Sequence, residues 1–313
     1  MIDCCEHITN NAVRHYDPTR TTALRNAFAS AMKRRFQELV KVTRKAVAEE
    51  DVFGLEAPKV FQMTTPGQRA FAFERSAKKI ESFLDWLQAQ IDAGILQLGY
   101  LHQIGQGTER AWTNLYILDS YKRGVIRARY ELQKAGYDVP SLDSTGGIDA
   151  SMSSLFHVDR VGLIYTRVFN ELKGITADMD KLISRVLAQG LVDGDSPRLL
   201  ARKLVSVING SGAGDLSMTD TLGRFIPASR RAMILARTEI IRAHHLATIQ
   251  EYRNWALEGV YVKAEWMTAG DNRVCDKCAS LQGKIYTLDE IESMIPFHPL
   301  CRCIALPVLV TKE

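Results

Sequence analysis

The feature that most constrains this 313-residue chain is a set of thiols and one imidazole near its end: Cys275-x2-Cys278, nineteen residues, then His298-Pro299-Leu300-Cys301-Arg302-Cys303. Thiolate sulfur and imidazole nitrogen are the preferred donors for zinc. A two-residue gap lets one tight turn aim both sulfurs at a single ion, and the distant group closes the tetrahedron. With Arg302 in a strand, Cys301 and Cys303 project to the same side because strand side chains alternate. Cys275, Cys278, His298, Cys301 and Cys303 are therefore five candidate ligands for four positions. The alternative, small buried residues without a metal, stands beside this reading.

The predicted role of such an ion is structural. A catalytic zinc keeps an open position and about three protein ligands, whereas this set offers at least four and is rich in thiolate. There is no His-Glu-x-x-His, and no His-x-Glu precedes the Cys-x-x-Cys. No phosphate-cradling loop is followed by Lys-Ser or Lys-Thr, and Gly210–Gly214 lacks a strand-to-helix setting. His244-His245 falls inside a long helical pattern, where packing or solvation is the ordinary fate. No catalytic residue is assigned, and the chain is read as a non-enzyme.

The other two of the six cysteines, Cys4 and Cys5, are adjacent and poorly placed to bridge each other. Clustered cysteines without a secretory leader point to a reducing compartment and to metal in place of disulfides. The start, Met1-Ile2-Asp3-Cys4-Cys5-Glu6-His7, has no basic and then apolar segment, so no signal peptide is expected. No window approaches the roughly 18 uncharged apolar residues of a membrane span. The longest clean apolar run, Ile304 to Val310, is broken by Pro307 and reads as a strand.

Up to about residue 257 the periodicity predicts helix after helix. A pattern over about 21–50, entered at Asp17-Pro18-Thr19, sets Leu24, Phe28, Met32, Phe36, Leu39 and Val40 on one stripe. Further helices are predicted at about 73–94, 109–135, 152–173, 176–189, 196–208 and 228–257. Residues 142–151 read as the main linker and 209–214 as a second break. Past Gly259, 260–268, 284–287 and 302–310 read as strands, with a short helix at 289–294. The expected class is α+β, mainly helical. A helical domain (1–141) leads through the linker to a domain (152–313) of helices (152–258) and a zinc-stabilised β module (260–313).

Net charge is only +4, so bulk charge does not make this a nucleic-acid coat protein. Between Arg20 and Lys45, however, eight basic residues face one acidic residue, Glu38. Lys33, Arg34, Lys41, Arg44 and Lys45 are the candidate contacts for DNA or an acidic protein surface, against the bland reading of a solvated helix face.

Several pieces recur together: Ala236-Arg237-Thr238-Glu239, Trp266-Met267-Thr268-Ala269-Gly270-Asp271-Asn272-Arg273-Val274-Cys275-Asp276-Lys277-Cys278, Leu281-Gln282-Gly283 and the His298–Cys303 block. Over roughly residues 150 to 310 they closely resemble the phage Mu F-like head-morphogenesis domain. Gly190 to Arg198 resembles that family's helical lead-in, and Asp17 to Arg25 with Arg34-Arg35-Phe36 is similar to longer minor head proteins of tailed phages. The resemblance implies a minor capsid component that joins the portal ring during procapsid assembly and aids DNA packaging or ejection. The implied partners are the portal protein, a major capsid or scaffolding protein and phage double-stranded DNA, with no membrane. The implied location is the virion, inside the head near the portal vertex, with host cytoplasm during assembly.

Two other classes are weighed: a zinc-dependent nucleic-acid-binding protein, and an enzyme such as a nuclease or an ADP-ribosyltransferase. The first wants a basic helix beside the metal, but Asp289 to Met294 is acidic. The second is expected to carry a further domain after Cys303, where only about ten residues follow. For Arg237-Thr238-Glu239 the sequence offers only a pairing of Glu239 with Arg242, three residues on, worth about 0.2–0.5 kcal/mol on a helix face.

Overall fold

The structure, a computed structural model, describes residues 17–55, 77–97, 111–209, 226–257 and 261–309. Cys4, Cys5, the predicted start of the second helix at 73 and most of the 209–214 break lie outside the described residues. The class is the expected one: mainly helical, with a small antiparallel sheet near the C-terminal end.

Among the described residues the order is α1 (Thr22–Arg44), α2 (Ala77–Ile91), α3 (Trp112–Lys134), α4 (Gly147–Met152), α5 (Leu155–Val192), α6 (Pro197–Asn209) and α7 (Ala228–Leu257). Then come β1 (Val262–Met267), α8 (Asp276–Ala279), β2 (Ile285–Tyr286), α9 (Leu288–Glu292) and β3 (Ile304–Leu309). The chain forms two compact units, each assembled from non-consecutive segments. One takes Met1–Ala29, Ala111–Phe169 and Ile234–Glu313, and the other takes Ser30–Arg110 and Asn170–Met233.

Two differences from the sequence expectation have clear causes. Residues 152–173 and 176–189 are one helix, α5, because Gly174 costs only about 1 kcal/mol in a helix interior. Buried Leu172, Thr176 and Met179 carry the apolar stripe straight past it. Residues 142–151, expected as linker, hold a 3-10 turn (Asp143–Thr145) and most of α4. Arg129 reaches into that segment, donating to Thr145 Oγ1 at 2.6 Å and Ser151 Oγ at 3.1 Å.

In the second unit, α1 buries Met32, Phe36 and Leu39, and continues as a π-helical turn, Lys45–Glu49, that buries Val47. Phe53 lies 5.2 Å from Phe83 of α2, centroid to centroid. The break between α5 and α6 is a left-handed glycine cap. Gly194 has φ +71, and Asp195 N–H donates to Gly190 O at 2.9 Å, back across the last turn.

In the first unit, α3 and α7 cross with almost no space between them. A Cβ placed on Gly124 would stand 2.4 Å from His244 O and 2.7 Å from Ala247 Cβ. Ser120 Oγ, one turn away, donates to Ile240 O at 2.7 Å. Beyond that crossing lies the sheet, ordered β2-β1-β3 and antiparallel throughout. Central β1 sends Val262, Ala264 and Trp266 inward, as the alternation predicts. They pack with Leu132 of α3, Ile249 and Tyr252 of α7, Ile291 of α9 and the four buried cysteines. Pro307 is tolerated because β3 is an edge strand with one side unpaired.

Candidate metal centre

Two loops of the first unit supply the five predicted ligands. The earlier one follows β1. Gly270 adopts φ +65, and α8 is then capped by Cys275, whose Sγ accepts from Cys278 N–H at 3.4 Å. The later one ends in β3, with Cys301 N–H donating to His298 O at 3.1 Å to close a turn. Gln282 ties the first loop to the sheet, its Oε1 accepting from Thr268 N–H at 2.8 Å and from Thr268 Oγ1 at 2.6 Å.

The folding of these loops gathers the ligands into two overlapping groups and does not bring Cys275 and His298 together with Cys301 and Cys303. Cys275, Cys278 and His298 form one mutually close group, and Cys278, Cys301 and Cys303 form another, with donor atoms within 4.8 Å inside each group. Cys278 belongs to both. His298 Nε2 lies 3.4 Å from Cys275 Sγ and 3.2 Å from Cys278 Sγ. Ligands around a tetrahedral zinc stand roughly 3.6 Å apart for bond lengths of about 2.0–2.3 Å. All four cysteines are buried and His298 is half-buried.

The donor chemistry fits a cation. His298 Nδ1 is 2.7 Å from Pro299 O, so Nδ1 carries the proton and Nε2 turns its lone pair to the sulfurs. Hydrogen bonds from Cys278 and Cys303 hold the Cys301 thiol well below the ordinary thiol range. The same contact with Cys301 pushes Cys278 far above it. Three sulfurs this close cannot all be thiolates unless a positive charge balances them. The contact with Cys278 lowers the Cys303 thiol, but its contact with Cys301 and its burial outweigh that and hold it above the ordinary thiol range. Between the loops is a void of about 10 Å³, roughly one water-sized sphere.

Residues that the spacing did not single out fasten the two loops together. Asp271, 1% exposed at its side chain, takes Arg302 Nη1 at 2.7 Å and Arg302 Nη2 at 2.5 Å. Its carboxyl is held below the usual carboxylate range, first by Arg302 and also by the backbone N–H of Arg273. The available signal was a charged residue, Arg302, set between two candidate ligands just ahead of β3.

The basic candidates lie elsewhere, in the second unit. Lys33, Arg34, Lys41, Arg44 and Lys45 are all exposed, and 34, 41 and 45 fall on one stripe at helical spacing. Lys41 pairs with Glu38 at 2.7 Å and Lys45 with Glu50 at 3.5 Å. Arg25, counted in the same basic run, is instead buried against Asp17 at 3.0 Å. His244 and His245 are buried in the core.

Residues 181–306 match the family model described as Phage Mu protein F like protein. The matched segment is Mu F-like. It contains all five candidate ligands, Asp271 and Arg302, so the whole candidate metal centre lies inside it. No curated protein and no solved structure matches the chain. The family is one of phage head morphogenesis. Among the described residues, no helix is long and apolar enough to cross a membrane.

Proposed function

We propose that the chain is a minor head protein of a tailed phage. It associates with the portal ring during procapsid assembly and aids DNA packaging or ejection, with a structural zinc in its C-terminal module. The observation that carries this reading is the coincidence of the Mu F-like match over 181–306 with four buried thiols and a half-buried imidazole, in two groups that share Cys278, inside it. Cys275, Cys278 and two of His298, Cys301 and Cys303 would hold the ion, which supplies a cross-link between two loops and no reacting group. The site is rich in thiols, all four of them buried, which suits a folding element.

The protein would then act by assembly, in the virion near the portal vertex, after synthesis in the host cytoplasm. Major capsid or scaffolding protein is a further expected neighbour. The exposed stripe of Arg34, Lys41 and Lys45 supports contact with packaged DNA or an acidic portal surface. Mass spectrometry of purified particles, with cross-linking, tests the proposal. The expected result is low-copy incorporation with cross-links to the portal protein. Absence from both procapsids and mature heads would overturn it.

A further inference from the structure

Helix α7 carries Thr238, and its hydroxyl touches two backbones. Thr238 Oγ1 donates to Ile234 O at 2.8 Å within the helix and accepts the N–H of Leu300 at 3.1 Å from the ligand loop. A hydroxyl has one hydrogen and two lone pairs. Spending the hydrogen inside the helix leaves the lone pairs facing Leu300, so the polarity of the contact is fixed.

Leu300 sits between His298 and Cys301 and has φ +64, in the left-handed region that non-glycine residues rarely occupy. Such a conformation persists only where its surroundings enforce it. The left-handed twist swings the Leu300 N–H out of the His298–Cys301 turn and toward α7, where Thr238 receives it. Glu239, the next residue, faces elsewhere: its Oε1 takes Arg242 Nε at 3.1 Å and Arg167 Nε at 3.5 Å.

We propose that Thr238 is a positioning residue for the metal centre, its hydroxyl holding the His298–Cys301 turn in the conformation that sets His298 Nε2 beside Cys275 and Cys278 and Cys301 Sγ beside Cys278 and Cys303. This rests on the metal reading above. It also gives the Arg237-Thr238-Glu239 triplet a physical role: Thr238 fixes the ligand loop and Glu239 fixes two arginines.

The test uses the purified full chain as wild type, Thr238→Val, Thr238→Ser, Leu300→Gly and the double variant Thr238→Val with Leu300→Gly. Zinc affinity is read by chelator competition, and the ligand field by the visible spectrum of the Co²⁺-loaded protein. Helix content is read by circular dichroism. Outer partners of metal ligands typically contribute 10–100-fold in affinity. Thr238→Val should weaken zinc by that factor and shift the cobalt spectrum, and Thr238→Ser should restore both. Leu300→Gly, which removes the left-handed penalty, should recover part of the loss in the double variant.

Wild type that binds neither Zn²⁺ nor Co²⁺ overturns the metal reading itself. Wild type that binds, with Thr238→Val unchanged in affinity and spectrum, overturns the positioning role alone. Equal losses in the Val variant, which keeps the methyl group, and the Ser variant, which keeps the hydroxyl, would show that the hydroxyl alone does not hold the turn and likewise overturn it. If Thr238→Val loses its helix content, Thr238→Ser decides: wild-type affinity and spectrum support the role of the hydroxyl, and a loss rejects it.

Discussion

Arg302 and Asp271 join the two ligand loops by a two-point ion pair, guanidinium against carboxylate at 2.7 and 2.5 Å. The carboxylate side chain is 1% exposed and the guanidinium 13%, so the pair is largely shielded from salt and water. Removing one partner of a buried pair costs about 3–5 kcal/mol, less where the survivor reaches solvent. Asp271→Asn should therefore lower the stability of the C-terminal module by about 2–3 kcal/mol. Arg302→Lys should recover little of the pairing, because a single ammonium cannot make both contacts. Urea unfolding followed through tryptophan fluorescence measures both variants, and an unchanged midpoint in either would reject the clasp.

The shared position of Cys278 ranks the ligands. Cys278→Ser removes a member of both close groups, so it should abolish metal binding and loosen residues from about 260 onward while the N-terminal helices stay folded. Cys275→Ser should do the same. Metal at comparable small sites contributes on the order of 10–16 kcal/mol at neutral pH. Among His298, Cys301 and Cys303, which compete for two positions, single substitutions should be unequal, with one nearly silent for metal content. Elemental analysis checks this. A wild-type chain that is fully stable with no bound metal would sink it.

Acid should destabilise the first unit before most carboxylates titrate. Burial first, and then mutual repulsion with His245, hold His244 at a pKa of about 3. Burial, partly opposed by a hydrogen bond to the backbone of Ile291, holds His245 at about 4. Free histidine titrates near 6.5. Between that value and the folded pKa the unfolded chain binds the extra protons, so stability is full above pH ~6.5 and falls as pH falls. Each buried histidine contributes a slope of up to about 1.4 kcal/mol per pH unit in that window. Unfolding free energies measured from pH 7 to pH 4 should decline, and His244→Leu should flatten the decline. A pH-independent wild type would refute the account.

The exposed cations of α1 make a salt-dependent prediction. Contacts through phosphate alone give binding that is independent of sequence, with a log–log salt slope near −0.9 per phosphate neutralised. Three to five side chains on an accessible face give a slope of roughly −3 to −4. Changing Lys33, Arg34, Lys41 and Lys45 to Gln should flatten the slope and keep the helix, since Gln is a comparable helix former. Fluorescence anisotropy with short duplex DNA reads this, and portal co-purification reads the rival. Unchanged DNA binding together with lost procapsid incorporation would reject DNA contact and leave docking.

The sequence by itself determined the class, the helix stripes of Phe28, Met32 and Phe36, the inward alternation of Val262, Ala264 and Trp266, and the identity of five candidate ligands. These are local matters, set by periodicity and by donor chemistry at short spacing. It did not show that α5 runs unbroken through Gly174, since the stripe that carries the helix past one poor residue is held by burial against distant segments. Nor did it show that Arg25 leaves the basic face for Asp17. Only the tertiary structure decided that Cys278 is common to both ligand groups, that Arg302 clasps Asp271, and that Thr238 receives Leu300 N–H from 62 residues away. Each of these depends on how one hydrogen-bonding atom is aimed after the chain has folded back on itself, and side-chain direction across such separations leaves no period in the sequence to read.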